Sequence, residues 1–233
     1  MITTAVLLAA GEGSRLRSAA ASKPLCHVGG RALIDHAITG FAAAGLARVV
    51  VVLGYEAERI EAHLAAGRWP VAVETVRTAD YRQPNGVSVL AAEHALAGEE
   101  AVLAMCDHLV DPALYARVAQ SGAGCGARLA IDRRITSDLV DLDDVTCVRT
   151  EGEAIVAIGK HLEGYDCFDT GVFAIGPGLF AALSSLESPS LTEGMRVLAE
   201  HGAALTIDCS DLDWIDVDDP AALDKAEHWL RAA

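Results

Sequence analysis

The chain has 233 residues, of which 52% are hydrophobic, enough for one large α/β domain with a sizeable core. Its formal net charge of −15 argues against DNA or RNA as the main partner, because neutralising a phosphate backbone takes clustered Lys and Arg. No apolar stretch approaches the roughly 20 residues that span a bilayer, Met1-Ile2-Thr3-Thr4 lacks a secretory signal's basic start, and the six scattered cysteines form no C-x-x-C pair; the reading is a cytoplasmic protein with reduced thiols and no stable membrane insertion.

In chain order, short runs rich in Val, Ile, Leu and Ala predict strands at 5–9, 48–53, 71–76, 101–105, 128–131, 168–175 and 205–209. Amphipathic stretches between and after them predict helices at 32–44, 57–66, 87–96, 112–119, 191–201 and 220–230. Strand and helix alternate through the first half, the pattern of βα units around a largely parallel sheet. Residues 138–160 break the rhythm with two short strands, 145–149 and 154–158, around Glu151-Gly152, a hairpin expected beside the main sheet. The fold class is therefore α/β: three αβα layers, Rossmann-like, with a mixed, mostly parallel sheet in a single domain, 1–233.

The first strand ends in Leu8-Ala9-Ala10-Gly11-Glu12-Gly13-Ser14-Arg15-Leu16, whose glycines let backbone N–H groups approach a phosphate. A dinucleotide fingerprint would need a third glycine where Leu16 stands, and a Walker A loop would need Gly-Lys-Ser/Thr, so both readings fail. Arg15 and, after a short insert, Lys23 are the cations that a triphosphate requires in an otherwise acidic chain. The turn Pro84-Asn85-Gly86-Val87-Ser88 opens the third helix and sets Asn85 and Ser88 beside free helix N–H donors, which suits a polar ligand.

The strand at 101–105 ends in Cys106-Asp107-His108, placing Asp107 at the carboxyl edge of the sheet, where open α/β folds bind ligands. Before the last helix, Trp214-Ile215-Asp216-Val217-Asp218 carries two carboxylates that share one face of an extended segment. Asp107, Asp216 and Asp218 are the candidate metal ligands, and hard carboxylate oxygens suit Mg2+. Asp141-Leu142-Asp143-Asp144 is read instead as an acidic turn ahead of the hairpin. His108 is read as a local packing or hydrogen-bonding residue, with a substrate contact as the alternative.

The order of these motifs resembles the sugar-nucleotidyltransferase superfamily of MobA-like NTP transferases, whose signature is a first strand, Gly-x-Gly-x-Arg-Leu, a short gap and a Pro-Lys segment. Gly11, Gly13, Arg15, Leu16 and Lys23 match; Ser22 stands where the proline would, and Pro24 follows. The resemblance spans residues 5–230 and implies a glycosyltransferase A-type nucleotidyltransferase fold. Residues 1–110 would form the nucleotide-binding half, with Leu8 to Arg15, Lys23, Asn85, Gly86, Ser88 and Asp107 around the nucleotide. Residues 111–233 would bind the acceptor and complete the metal site.

Two further segments, Ile158-Gly159-Lys160 and Phe168-Asp169-Thr170-Gly171-Val172-Phe173, are similar to those flanking the acceptor pocket of inositol-1-phosphate cytidylyltransferases. That narrower resemblance implies CTP and inositol 1-phosphate as substrates. Lys160 would hold the acceptor phosphate, Asp169 and Thr170 its hydroxyls, with His108 nearby. Phosphocholine cytidylyltransferases share the carboxylates, but a quaternary ammonium calls for an aromatic cage, and aromatics make up only 5% of the chain. Other NTPs, other polyol phosphates and an aminoalkyl phosphonate stay open as partners, as does assembly into a homo-oligomer.

The chemistry expected is in-line attack of the acceptor phosphate on the α-phosphorus, with pyrophosphate leaving. Arg15 and Lys23 would steady the leaving group, Mg2+ on the three aspartates would clamp the α-phosphate, and Lys160 would aim the acceptor. A metal-dependent glycosyltransferase would bind a diphosphate and have less need of an Arg-plus-Lys cradle; a nucleotide sensor would not need the whole set.

Overall fold

The structure, a computed structural model, describes residues 1–17, 20–137 and 140–232. Asp138 and Leu139, where the strand–helix alternation was expected to break, lie outside the described residues. The strands are β1 (Thr4–Ala9), β2 (His27–Val28), β3 (Arg31–Ala32), β4 (Arg48–Leu53), β5 (Ala72–Arg77), β6 (Ala101–Met105), β7 (His108–Val110), β8 (Ala127–Asp132), β9 (Cys147–Glu151), β10 (Ala154–Gly159), β11 (Cys167–Ile175), β12 (Ala204–Asp208) and β13 (Trp214–Asp216). The helices are α1 (Leu33–Ala43), α2 (Ala57–Ala66), α3 (Asn85–Leu90), α4 (Glu93–Leu96), α5 (Pro112–Ser121), α6 (Pro177–Ser184), α7 (Leu191–Glu200) and α8 (Pro220–Ala232).

Nine strands form one sheet in the order β5-β4-β1-β6-β11-β8-β12-β10-β9. β5, β4, β1 and β6 run parallel, and only β11 and β10 run against the rest. After Thr4 and Arg48, β1 and β4 are continuous apolar runs because both faces are covered. Alternation along β1 sends Ala5, Leu7 and Ala9 to a core shared with α1, α2 and α5, and Val6 and Leu8 to a second core against α3, α6 and α7. This is the three-layer α/β arrangement that the strand–helix rhythm implies.

The hairpin does not sit beside the sheet. β10 pairs with β12, and β9 pairs with both β10 and the start of β11, so the hairpin extends the sheet and curls it back on itself. Pairing in the sheet satisfies much of the hairpin's backbone, and Val148, Ile155 and Ile158 of the hairpin join the second core. The helix expected at 87–96 is two short helices, α3 and α4, and α6 was not foreseen: Pro177 occupies its first turn, where a missing N–H costs nothing.

A third apolar cluster ties the chain's two ends to the site. Leu16 of the glycine-rich loop, Leu109, Ile215, Val217 and Ala226 of α8 pack together. Among the described residues no helix is long and apolar enough to cross a membrane.

Candidate active site

The loop after β1 turns at Gly13, which adopts φ +57°, and a Cβ there would lie 2.4 Å from Lys23 Cβ. Only glycine allows both that conformation and that approach. The next residues form a short 3-10 turn, Ser14–Leu16, whose Leu16 is fully buried, so Arg15 is left facing the cleft. A second 3-10 turn, Lys23–Leu25, with Pro24 in its first positions, delivers Lys23 from beneath.

The carboxylates arrive on the small sheet β7–β13. Its antiparallel register sets Asp216 opposite His108, and Val217 N donates to Asp107 O at 2.9 Å. Because side chains alternate, Leu109, Ile215 and Val217 face the apolar cluster while His108, Asp216 and Asp218 face the cleft. Lys23, buried, joins Asp107 Oδ2 at 2.5 Å and also Asp218 Oδ1. Arg15 bonds Asp218 and, at 2.6 Å, Asp144 Oδ2; Lys160 bonds Asp144 Oδ1.

Protonation follows from this packing. Burial pushes the Lys23 ammonium down, but Asp107, Asp216 and Asp218 outweigh it and hold it above its usual range. Burial likewise raises the Asp107 carboxyl, and Lys23 and His108 reverse that to leave it below the ordinary value. Asp218 is raised, by burial first and then by Asp216. His108 sits with Nε2 3.5 Å from Asp216 Oδ2 and Nδ1 2.8 Å from the Thr170 carbonyl oxygen, to which it can only donate. Burial lowers its imidazole, but Asp216, Asp107 and that carbonyl bring it up to about 10, a cation at neutral pH.

The donor set fits a hard divalent cation. Asp144, Asp216 and Asp218 present carboxylate oxygens within 4.8 Å of one another, and Asp107 and Asp216 do so beside the protonated His108, which is a donor and not a ligand. Asp216 Oδ1 is buried and has no hydrogen-bond partner, an orphaned oxygen of the kind that a cation satisfies.

Two cavities meet at Arg15, Asp107 and Asp218. The smaller, of 280 Å3, is walled by Leu8, Ala9, Gly11, Gly13 and Ser14 on one side and Lys23 on the other. The larger, of 500 Å3, runs over His108, Asp216, Lys160 and Asp169 to Asn85 and the start of α7.

Several sequence candidates lie elsewhere. Ala10 is off the cavity walls, its carbonyl accepting from Tyr55 N at 3.0 Å, and Glu12 is paired with Arg17. Gly86 and Ser88 are buried where α3 meets α6 and α7; a Cβ at Gly86 would come within 2.5 Å of Pro189 O. Asn85 lines the larger cavity, but its Oδ1 accepts from Leu191 N at 2.8 Å, so it also fastens α3 to α7. Thr170 is fully buried and its hydroxyl donates to Ala130 O at 2.9 Å, which commits it to the sheet. A bulge in β11 between Asp169 and Phe173 is the reason: Asp169 Oδ1 accepts Gly171 N at 2.7 Å, and Gly171, at φ +77°, turns its backbone against the His108 ring.

Sequence reasoning passed over Asp144, which is no plain acidic turn, and a supporting chain behind His108. Trp214 stacks on His108 at 5.7 Å between ring centroids, Trp214 Nε1 donates to the buried Asp132 Oδ2 at 3.0 Å, and Arg134 grips both Asp132 oxygens. Trp214 lies far in sequence from both His108 and Asp132, so no local pattern signals those contacts.

With this geometry in place, similarity to known proteins becomes informative. The model of the MobA-like NTP transferase domain matches residues 5–203. The chain belongs to that family. This NTP transferase domain is 36% identical over 231 residues to a bifunctional IPC transferase and DIPP synthase of Rubrobacter xylanophilus, covering 97% of this chain and 51% of the relative. It is 30% identical to the protein of the same name in Aquifex aeolicus, covering 99% and 52%. The chain thus spans about half the length of these curated relatives. Among solved structures, an inositol-1-phosphate CTP transferase from T. maritima superposes with a TM-score of 0.89 at 25% identity, covering 99% of this chain and 95% of that one. A UDP-glucose pyrophosphorylase superposes with a TM-score of 0.82 at 16% identity, covering 100% and 99%, a likeness of fold alone. The nucleotidyltransferase fold expected from the motif order is therefore the fold observed.

Proposed function

We propose that this NTP transferase domain transfers a cytidylyl group from CTP to inositol 1-phosphate, giving CDP-inositol and pyrophosphate, in the cytoplasm and with Mg2+. The observation that carries the reading is the meeting of two cavities at Arg15, Asp107 and Asp218, which sets a cation-lined phosphate cradle against a polar acceptor pocket. The resemblance of Lys160 and Asp169 to acceptor-pocket segments, together with the names of the relatives and of the T. maritima structure, supports the substrate choice.

In this reading the smaller cavity holds the nucleotide, with backbone N–H groups of the Gly11–Ser14 loop and the Arg15 and Lys23 side chains on the phosphates. The acceptor lies in the larger cavity, its phosphate toward Lys160 and its hydroxyls toward Asp169 and His108. Asp107, Asp216 and Asp218 would hold the magnesium ion, which supplies charge neutralisation on the phosphoryl oxygens. An acceptor phosphate is already anionic at neutral pH, so the chain need supply no base. Its residues align the two substrates in line and steady the pyrophosphate as it leaves.

Pyrophosphate release is to be measured with CTP, UTP, GTP and ATP, each against inositol 1-phosphate, phosphocholine, aminoethylphosphonate and common sugar 1-phosphates. Release with CTP and inositol 1-phosphate alone is expected. Release with another pair would keep the chemistry and reject the substrates, and silence throughout would reject the enzyme reading.

A further inference from the structure

Asp144 is the unexpected occupant of the site. It comes from the segment before β9, on the acceptor side of the cleft, yet its two carboxylate oxygens are divided between cations of opposite walls. Oδ2 accepts from Arg15 Nη2 at 2.6 Å, and Oδ1 accepts from Lys160 Nζ.

The turn that presents Asp144 is built for the purpose. Asp141 accepts from Asp143 N through Oδ1 at 3.0 Å, and its carbonyl accepts from Val145 N at 2.9 Å. Val145 then packs beside Trp214 and Phe168, in the cluster at the back of the site. One end of the turn is thereby fixed to the element that carries Asp216.

Arg15 and Lys160 are each more than half exposed, on long side chains that lose much rotamer freedom when held. Guanidinium has five donors and ammonium three, so each can keep Asp144 and still meet a phosphate. We propose that Asp144 is a positioning residue that holds Arg15 and Lys160 at a fixed separation, aligning the nucleotide's phosphates with the acceptor's phosphate for in-line transfer. The proposal rests on the roles assigned to those two cations above. A bystander carboxylate would do the opposite: it would compete with substrate phosphates for the same cations and weaken their binding.

Steady-state turnover separates the two. Wild type, Asp144→Asn and Asp144→Glu are compared with the nucleotide–acceptor pair that wild type uses in the panel above, both substrates varied, and thermal midpoints are recorded alongside. For Asp144→Asn the expected result is a fall in kcat on the order of 10- to 100-fold, as for a small misplacement of reacting groups. KM for each substrate is expected to stay level or fall, because a negative charge has left, with an unchanged midpoint and partial recovery of kcat in Asp144→Glu. In the Lys160→Met background, Asp144→Asn is expected to cost less than it does alone, as for two residues that act as one unit. Wild-type kcat in Asp144→Asn whatever KM does, recovery of its kcat by raised magnesium as for a lost metal ligand, or an undiminished further loss in the Lys160→Met background would overturn the proposal. Wild type inactive with CTP and inositol 1-phosphate but active with another pair rejects the substrate reading while leaving this comparison intact.

Discussion

Replacing Lys23 with methionine keeps the length of the buried stem and removes one charge between two carboxylates. Breaking a buried ion pair by removing one partner costs about 3–5 kcal/mol. Asp107 and Asp218 keep 29% and 21% of their side-chain surface exposed, so water can rehydrate them. Allowing for that hydration, the cost falls to about 2 kcal/mol, which for a chain of this size is a drop of roughly 4–8 °C in melting temperature. The deficit should appear in chelator and shrink in millimolar magnesium, because a cation entering the vacated site binds only the folded chain. Wild type, in which Lys23 already pairs with Asp107 and Asp218, should respond less. Turnover should fall on the order of 100-fold or more, since a donor to the phosphates is gone. Thermal scans of both proteins in chelator and in magnesium provide the check. Equal melting in chelator, or equal magnesium shifts, would refute the reasoning.

Three further outcomes follow from particular contacts. Gly13→Ala forces a side chain into φ +57° and onto Lys23 Cβ; a loss of about 1–3 kcal/mol in urea unfolding and a collapse of turnover are expected. Trp214→Phe keeps a ring beside His108 but withdraws the donor from Asp132; a cost of about 1–3 kcal/mol is expected in the same experiment. Asp169 is pushed up to about 6 by burial, against the pull of Gly171 N and His108. Its folded value therefore exceeds its unfolded one, so wild type loses stability as pH rises through about 6, and Asp169→Asn should be the more stable protein at about pH 8 with the advantage gone near pH 4. An advantage of equal size at both pH values would contradict that cause.

How far the sequence was readable depended on how local each signal was. β1 from Ala5 on and β4 from Val49 on are apolar because they lie mid-sheet, and their composition says so. The Gly11–Gly13 loop was legible because two glycines, Arg15 and Lys23 crowd a short stretch. β7 and β13 have three residues each and exist only because they pair with one another, yet that pairing sets Asp216 opposite His108. α6 opens with Pro177-Gly178, which reads as a breaker, although proline fits a first turn and Gly178 lies where a Cβ would meet Cys125 O at 2.4 Å. Thr170 was misjudged because a bulge, invisible in the alternation, turns Gly171 rather than Thr170 toward the cleft. Asp144 and the Asp132–Trp214 pair were out of reach for a different reason: Arg15, which draws Asp144 across the cleft, is 129 residues away, and Trp214 is 82 from Asp132.

The most direct test of cytidylyl transfer is phosphorus NMR of the purified chain with CTP and inositol 1-phosphate, in magnesium and again in chelator. Pyrophosphate and a new nucleotide diphosphate diester should grow together in equal amounts with magnesium, and neither should form in chelator. Release of inorganic phosphate or CDP in place of pyrophosphate, or pyrophosphate without the diester, would contradict transfer to the acceptor and leave hydrolysis as the activity.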